Sequence, residues 1–358
     1  EIASCLVGSE MCIRDRHNHT HYSLLDGASK VPDLVKRVKE LGMPAVGITD
    51  HGNMHGAYEL WRAAVDSGVK PIIGIEAYVT PETARQDKTR VSWDTNWTPV
   101  PGHARNPDDV SGGGLITHLT MWAENDEGLV NLIKASSVAN LEGRVMRYPR
   151  MDKEVLSTYS KGVIASSGCP SGIIQTRLRL GQFDEALRAA GEFQDIFGKD
   201  NFYIELMDHG LSIESKVTGD LLTIAKKLGA PLLATNDSHY VMEADKDAQD
   251  AMLCINSGAT LDDPNRFKFE GSGYYIKSAE EMRELFKDHP DACDNTLEIA
   301  ERCNVIFDDH EDGAFMPQFD CPEGWDETSL FLKKVEEGLE KRYDGNPPME
   351  VLKQADYE

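Results

Sequence analysis

Short apolar runs alternate with amphipathic helical segments through the first two thirds of the chain. Six of the runs have the length of β-strands: residues 45–52, 70–79, 114–123, 161–170, 201–210 and 230–241. The first segment between them has helical spacing, with Val31, Leu34, Val35, Val38 and Leu41 on one face. Strands that are apolar throughout and alternate with helices predict a parallel sheet buried on both faces.

The segment "HNHTHYSLLDG" (17–27) precedes the first of these helices and counts as a further strand. Seven strand–helix repeats predict a closed or nearly closed α/β barrel of the TIM type, with an open doubly wound sheet as the alternative.

Charge and cysteine usage narrow the class of protein. The 358 residues carry a net charge of −24, so the chain itself is a poor non-specific binder of nucleic acid. Any attraction to DNA must come from bound metal ions, local basic patches or further parts of the protein. Seven widely spaced cysteines indicate a reducing cytoplasm rather than a disulfide framework. The sequence contains no run of eighteen apolar residues, so it predicts no membrane-spanning helix.

Residues able to bind metals lie in or directly after every predicted strand. In chain order they are His17, His19, Asp26, Asp50, His51, Glu76, His118, Cys169, Asp208, His209, Asp237 and His239. Because the carboxyl ends of parallel barrel strands open on one face, these scattered residues are expected to converge. The coincidence predicts a site for several metal ions.

Two of these positions are informative by themselves. Glu76 lies inside the apolar run "IIGIEAYV", and a buried carboxylate is costly unless it is paired or bound to a metal. His17 and His19 lie on one face of a strand, since side chains alternate with period two. The same parity includes His21, so the spacing alone leaves open which two bind.

The mixture of donors indicates the chemistry. Imidazoles and a thiolate suit Zn, whereas carboxylates bridge two ions or admit Mn or Fe. A cluster of divalent ions is a common apparatus for phosphoester hydrolysis, and it needs no separate serine or cysteine nucleophile. The sequence has no Walker A or dinucleotide-binding glycine pattern.

Several stretches resemble a known family. "HNHTHYSLLDGASK", "KPIIGIEAYV", "THLTMWAENDEGLVNL", "SSGCPSG", "ELMDHG" and "ATNDSHYV" are similar to the amino-terminal PHP (polymerase and histidinol phosphatase) domain of bacterial DNA polymerase III α subunits. The resemblance covers residues 17–358, and "DDVSGGGLITHLTM" is most similar to the actinobacterial form.

This resemblance implies a distorted seven-stranded α/β barrel with a trinuclear metal centre. The family's ligand positions fall on His17, His19, Asp26, His51, Glu76, His118, Cys169, Asp237 and His239. It implies a first ion among His17, His19, Glu76 and Asp237, a second among Glu76, His118 and Cys169, and a third among Asp26, His51 and His239. Asp26, His51, Glu76, Asp237 and His239 are the residues expected to take part in catalysis, and His21 is excluded.

The implied activity is 3′→5′ exonuclease proofreading at the 3′ end of a DNA primer. The implied partners are the sliding clamp and other replisome subunits, reached through parts of the parent polymerase beyond this chain. A free-standing phosphatase of the histidinol phosphatase type is the first alternative. A non-catalytic module that braces the polymerase is the second.

Three segments fall outside the barrel pattern. Residues 1–16 contain "CLVGSEMCIRD", which resembles a translated sequencing adapter and predicts a non-native segment before a PHP domain at 17–285. Residues 286–358 resemble the helical lead-in to a polymerase palm, and the chain is expected to be truncated before that palm. The loop 80–113, which carries Arg85, Lys88, Arg90, Trp93, Trp97 and Arg105, fits a lid or a surface loop, and the surface loop is favoured.

Overall fold

The computed structural model describes residues 17–98, 106–109, 111–271, 273–308 and 319–358. The predicted non-native segment 1–16 lies outside the described residues, as does Arg105 of the loop 80–113.

The chain divides into two compact units between Phe307 and Asp308. The domain boundary predicted after residue 285 stays a prediction. In the described parts of the chain, no helix has the length and apolar character needed to cross a membrane.

The first unit contains the sheet and most helices. Its strands are β1 (Ala45–Ile48), β2 (Lys70–Val79), β3 (Thr117–Ala123), β4 (Arg150–Met151), β5 (Val163–Ser166), β6 (Phe202–Leu206) and β7 (Leu232–Ala234). Its helices are α1 (Val31–Glu40), α2 (Ala57–Ser67), α3 (Ser111–Gly114), α4 (Asp126–Glu142), α5 (Lys153–Thr158), α6 (Ile173–Arg179), α7 (Phe183–Phe197), α8 (Ser212–Leu228), α9 (Lys246–Ser257), α10 (Ala279–Leu285) and α11 (Pro290–Arg302). The second unit has α12 (Glu327–Arg342) and α13 (Met349–Tyr357), both in regions where the sequence predicts helices.

The sheet curls into a barrel in the order β1-β2-β3-β5-β6-β7, and β4 pairs with the end of β2. The segment that begins at His17 joins the two ends of this order. Its backbone exchanges two 2.8 Å hydrogen bonds with Ser238 beyond β7, and the Asn18 carbonyl accepts one of 2.9 Å from Thr49 beyond β1. The predicted α/β barrel is confirmed, with the histidine segment as a short bridge instead of a long strand.

The sheet is not wholly parallel, so that part of the expectation is wrong. β3 runs antiparallel to both β2 and β5. Val79 at the end of β2 pairs with Thr117 at the start of β3, so the chain re-enters the sheet at the edge where it left. A parallel β3 would need a crossover to the opposite edge. The reversal places His118 beside Tyr78, at the same edge as the ends of the parallel strands.

Side chains on each strand alternate between the barrel interior and the surrounding helices, as the period of two requires. The lower interior is apolar and fully buried, and it consists of Ala45, Ile72, Trp122, Ile164, Tyr203 and Leu233. Two positions nearer the site edge, the inward residues are polar: Thr120, Ser166, Glu205 and Thr235. The barrel interior is therefore divided into an apolar lower layer and a polar upper layer.

Helix α11 seals the apolar layer. Ile299, Ala300 and Cys303 pack directly against it and are buried. The Asn295 amide donates to the Leu232 carbonyl at 2.7 Å, which fixes the helix to the start of β7. The barrel thus opens towards solvent at its polar end.

The described part of the loop 80–113 is fixed to the surface of the first unit. Arg85 forms ion pairs with Glu142, Asp152 and Glu154 at 2.7–3.1 Å. The Trp93 ring lies 3.8 Å from the Arg177 guanidinium carbon. These contacts anchor the described part of the loop to α4, α5 and α6, and the surface-loop interpretation stays a prediction.

Replacing Ile299 by Ala is expected to lower the free energy of unfolding by about 2–5 kcal/mol, because it opens a cavity between α11 and the apolar layer. The measurement is urea unfolding followed by tryptophan fluorescence. Leu141→Ala is the control, since Leu141 is 84% exposed and its loss should change stability by less than about 0.5 kcal/mol. Equal effects of the two substitutions would contradict the sealing role of α11.

Candidate metal centre

The nine predicted ligand residues form one connected cluster at the polar end of the barrel. Each has a donor atom within 3.9 Å of a donor atom of another member. Four of them follow strand ends within three to five residues: His51 after β1, Cys169 after β5, and Asp237 and His239 after β7. Glu76 lies within β2, and His118 lies at the start of the antiparallel β3. Asp26 comes from the turn after the histidine segment, and its side chain points back into the barrel mouth.

Glu76 lies at the centre of the cluster and is 1% exposed. Its Oε1 atom is 2.9 Å from His118 Nδ1 and 3.3 Å from His17 Nε2. Its Oε2 atom is 2.5 Å from His51 Nδ1 and 3.6 Å from His19 Nε2. One carboxylate therefore contacts four imidazoles, two on each oxygen, which suits a ligand that bridges ions.

Asp237 connects the other side of the cluster. Its Oδ1 atom is 3.1 Å from His19 Nε2, 3.2 Å from His239 Nε2 and 3.4 Å from His17 Nε2. The residue has φ = 45°, a left-handed conformation that is uncommon outside glycine. Such local strain persists only where the surroundings hold it, and it is frequent at functional sites.

Three groups of side chains offer one donor atom each within 4.8 Å of one another: His17, His19 and Asp237; His19, His51 and Glu76; and Glu76, His118 and Cys169. The first and third fall within the groupings implied by the family resemblance. Asp26, His51 and His239 do not form such a group in the described chain. Asp26 Oδ2 is 2.7 Å from His51, but its Oδ1 is 3.9 Å from His239 Nδ1.

The electrostatics keep the carboxylates ionised. Burial raises the pKa of Glu76, but the charges of His118, His51 and His17 outweigh it and hold that pKa well below its ordinary value. Asp237 shows the same balance, with His17 and His239 as the main opposing charges. Burial and the neighbouring His51 and His239 lower the pKa of His19 to about 3. Ionised carboxylates and a neutral imidazole are the forms that bind metal ions.

The residues fit a metal cluster for a further reason. Several buried donor atoms make no hydrogen bond within the described chain: His19 Nε2, Asp26 Oδ1, Glu76 Oε2, Asp237 Oδ1 and His239 Nδ1. Buried polar atoms in proteins are nearly always satisfied. A cation among them would satisfy carboxylate and imidazole lone pairs together, and the donor set of nitrogen, oxygen and one thiol suits Zn-like ions.

Residues 15–209 match the family model described as the PHP domain. The chain belongs to the PHP domain family. The family resemblance read from the sequence motifs is thereby confirmed.

Two similar proteins from different organisms carry the same name. The chain is 50% identical over 343 residues to the DNA polymerase III subunit alpha of Mycobacterium leprae, covering 96% of this chain and 28% of that protein. It is 50% identical over 337 residues to the protein of the same name from Saccharopolyspora erythraea, covering 94% and 28%. The chain therefore spans about a quarter of the length of these relatives. A solved amidohydrolase structure from Chromobacterium violaceum is 14% identical, with a TM-score of 0.36 over 63% of this chain and 87% of that one.

Glu205 is a residue of the PHP domain site that the sequence reading missed. Its Oε1 atom is 2.9 Å from His17 Nδ1 and accepts a 2.5 Å hydrogen bond from Thr235, and its Oε2 accepts one from Ser166. A carboxylate behind a histidine ligand fixes the ring and its tautomer and raises its basicity. The sequence contains a signal for Glu205 in "FYIEL", where a single acidic residue interrupts an apolar strand, as Glu76 does in β2.

Asp50 contacts the residues that hold His19 and is not itself part of the donor cluster. It accepts hydrogen bonds from the Thr20 amide at 2.7 Å and the Ser23 hydroxyl at 2.8 Å. Ser23 Oγ also lies 2.9 Å from His19 Nδ1. Asp50 thus holds the turn that orients His19.

The structure separates the two residues at the end of β6 whose roles the sequence leaves open. His209 contacts Glu214 at 2.6 Å and the Asn236 carbonyl at 2.7 Å, so it fixes the strained turn before Asp237. Asp208 is exposed and accepts a hydrogen bond from the Gly210 amide, outside the cluster. His21 is also outside the three donor groups, and its ring packs 4.2 Å from that of Tyr22.

Replacing Glu205 by Gln is expected to weaken metal binding by about 10–100-fold, since His17 loses its anionic partner. The measurement is Zn²⁺ affinity by competition with a chromogenic chelator, together with bound metal by mass spectrometry. Asp208→Asn removes a nearby carboxylate that lies outside the cluster and should leave the affinity unchanged. Equal affinities of the two variants would show that Glu205 does not support the site.

Proposed function

We propose that this PHP domain hydrolyses phosphodiester bonds at the 3′ end of a DNA strand, as the proofreading exonuclease of a DNA polymerase III α subunit. The observation that carries the proposal is the cluster itself, in which Glu76 and Asp237 connect imidazoles from separate strand ends. The printed name of the relatives, DNA polymerase III subunit alpha, supplies DNA as the substrate class.

The reaction needs a water oxygen to bond to phosphorus while the bond from phosphorus to the 3′ oxygen of the preceding nucleotide breaks. The products are a nucleoside 5′-monophosphate and a shortened strand with a free 3′ hydroxyl. Divalent ions would supply hydroxide near neutral pH and stabilise the charge on the leaving oxygen. We expect three such ions, with Zn favoured and Mn or Fe as alternatives.

The chain's own residues hold and orient the ions in this scheme. His17, His19, Glu76 and Asp237 would hold one ion, and Glu76 would share a second with His118 and Cys169. Asp26, His51 and His239 would hold a third, where Asp26 lies close to His51 and faces the open cleft. Ionised Asp26, whose pKa is lowered to about 2 against the effect of burial by His239 and His51, is also placed to orient a water molecule.

The wider context belongs to the same proposal. The primer 3′ end is the expected binding partner of this domain. The expected location is the cytoplasm. The sliding clamp and other replisome subunits would bind through the remaining length of a protein like its relatives, of which this chain spans 28%. Five described cysteines are free thiols: Cys169, Cys254, Cys293, Cys303 and Cys321.

One observation favours a second candidate function, a phosphatase that acts on a small phosphomonoester. The cavity at the cluster has a volume of about 540 Å³, which lies within the range of small-molecule sites. Comparing histidinol phosphate and p-nitrophenyl phosphate with DNA ends distinguishes the two functions. Much faster hydrolysis of the small esters would favour the phosphatase.

His239→Asn and Asp237→Asn are each expected to reduce degradation of a mismatched 3′ end by about 100-fold or more, since each removes a ligand from the cluster. The measurement is gel analysis of a 5′-labelled primer–template with added Zn²⁺ or Mn²⁺. His21→Asn is the matched control and should retain wild-type activity. Unchanged rates in both ligand variants would contradict the proposal.

Dialysis against a chelator is expected to abolish the same activity, and adding back divalent metal should restore it. Bound metal should fall from about three ions per chain to near zero and return on reconstitution. Activity that survives complete loss of metal would exclude the metal-dependent mechanism.

A further inference from the structure

A cleft runs from the metal cluster to a tight turn at residues 144–148. Asp26, His51 and His118 line its inner end, and Arg144, Arg147 and Tyr148 line its outer end. At about 540 Å³, the cleft has much more room than a single phosphate group needs. Its outer end is therefore available to the part of a substrate that does not react.

The two arginines of this turn differ from the others in the first unit. Among the described arginines there, Arg90, Arg144, Arg147 and Arg150 form no ion pair with a carboxylate. Arg150 is buried and donates to several backbone carbonyls, and Arg90 donates to those of Gly112 and Gly113. Arg144 and Arg147 are exposed cations beside the metal cluster of a chain whose net charge is −24.

The turn holds Arg147 in a defined position. Val145 and Tyr148 exchange two backbone hydrogen bonds of 3.0 Å, and Met146 between them has φ = 55°. Arg147 Nη1 donates to Asn256 Oδ1 at 2.7 Å, and its guanidinium carbon lies 5.4 Å from the centre of the Tyr148 ring. A planar guanidinium that is fixed in this way is suited to binding a phosphate.

Aromatic rings connect the arginines to the cluster. The Tyr148 ring meets Tyr78 edge-on at 5.1 Å, and Tyr78 lies parallel to the His51 ring at 5.9 Å. Tyr78 and Tyr148 are both only partly buried. Aromatic faces next to cations are the usual means by which proteins bind single-stranded nucleic acid, because bases stack while phosphates pair with arginine.

We propose that the 144–148 turn, together with Tyr78, binds the nucleotides immediately upstream of the scissile bond in single-stranded DNA. Arg147 and Arg144 bind the upstream phosphates, and Tyr78 and Tyr148 stack on a base. The inference rests on the proposed function for the reaction at the cluster. It adds a preference for an unpaired strand, since stacking on tyrosine requires a base released from its duplex.

The first test compares two substrates of the same reaction class. For the double variant Arg144→Ala, Arg147→Ala, the ratio of kcat/KM for a single-stranded oligonucleotide to that for bis(p-nitrophenyl) phosphate should fall by about tenfold or more, mainly through KM. Oligonucleotide cleavage should also depend less steeply on salt concentration. The decrease in slope should correspond to the loss of one to two phosphate contacts. Arg62→Ala, on the exposed surface of α2, is the control and should keep the wild-type ratio. Equal losses on both substrates would overturn the inference.

The second test needs no hydrolysis. Fluorescence anisotropy of a labelled single-stranded oligonucleotide in the presence of chelator should give a Kd about tenfold higher for the double variant than for wild type. Tyr148→Ala should weaken binding of a strand with bases more than that of an abasic strand. The Arg147→Lys variant should bind the oligonucleotide more tightly than the double variant and less tightly than wild type, because lysine keeps the charge but lacks the forked geometry of the guanidinium.

The two proposals can fail separately. If wild type hydrolyses neither DNA nor the small diester, the proposed function is wrong, and the binding measurement still decides the role of the turn. If the double variant binds and cleaves oligonucleotides as wild type does, the turn is not a strand-binding element, and the proposed function stands.

Discussion

The site depends on one buried carboxylate. Glu76 is 1% exposed in the middle of an apolar strand, and an isolated charge in that position would cost several kcal/mol. The barrel meets this cost by directing four imidazoles at the two oxygens. Those imidazoles come from residues far apart in sequence, so the charge can be satisfied only when the ring has closed. Folding of the barrel and assembly of the donor set are therefore one event.

The division of the interior into two layers makes that arrangement possible. Trp122 and Tyr203 fill the lower layer, and α11 seals it with Ile299, so water reaches the cluster from one end. In the upper layer, Thr235 and Ser166 donate to Glu205, which in turn contacts the ring of His17. The candidate metal ligand His17 is thus held by hydrogen-bonded side chains, and these pack on a close-packed apolar layer.

The sequence was sufficient for the barrel and for the convergence of the nine candidate residues at one end of it, because both follow from local patterns. The role of these residues as metal ligands stays a prediction. Apolar runs locate the strands, and an acid such as Glu76 within one is visible without a structure. The direction of β3 was not predictable, since the residues before it form an aperiodic loop whose return path has no local signal. Glu205 was missed because it was read as part of an apolar strand, whereas Asp208, which was noted, is exposed. Distinguishing the two requires the register of β6, and register is set by pairing with neighbouring strands.

Net charge gives the cluster a further consequence. Without ions, the charges of Asp26, Glu76 and Asp237 are offset only by the neighbouring imidazoles, on a chain of net charge −24, at the face where the proposed function requires DNA to bind. Bound divalent ions would make that face strongly positive, while Arg144 and Arg147 stay positive at its edge. Ion binding and strand binding should then strengthen each other, since thermodynamic coupling between two ligands is reciprocal. A strongly acidic domain can thereby bind a polyanion at one place and repel it elsewhere, which confines the strand to the cleft that leads to the metal ions.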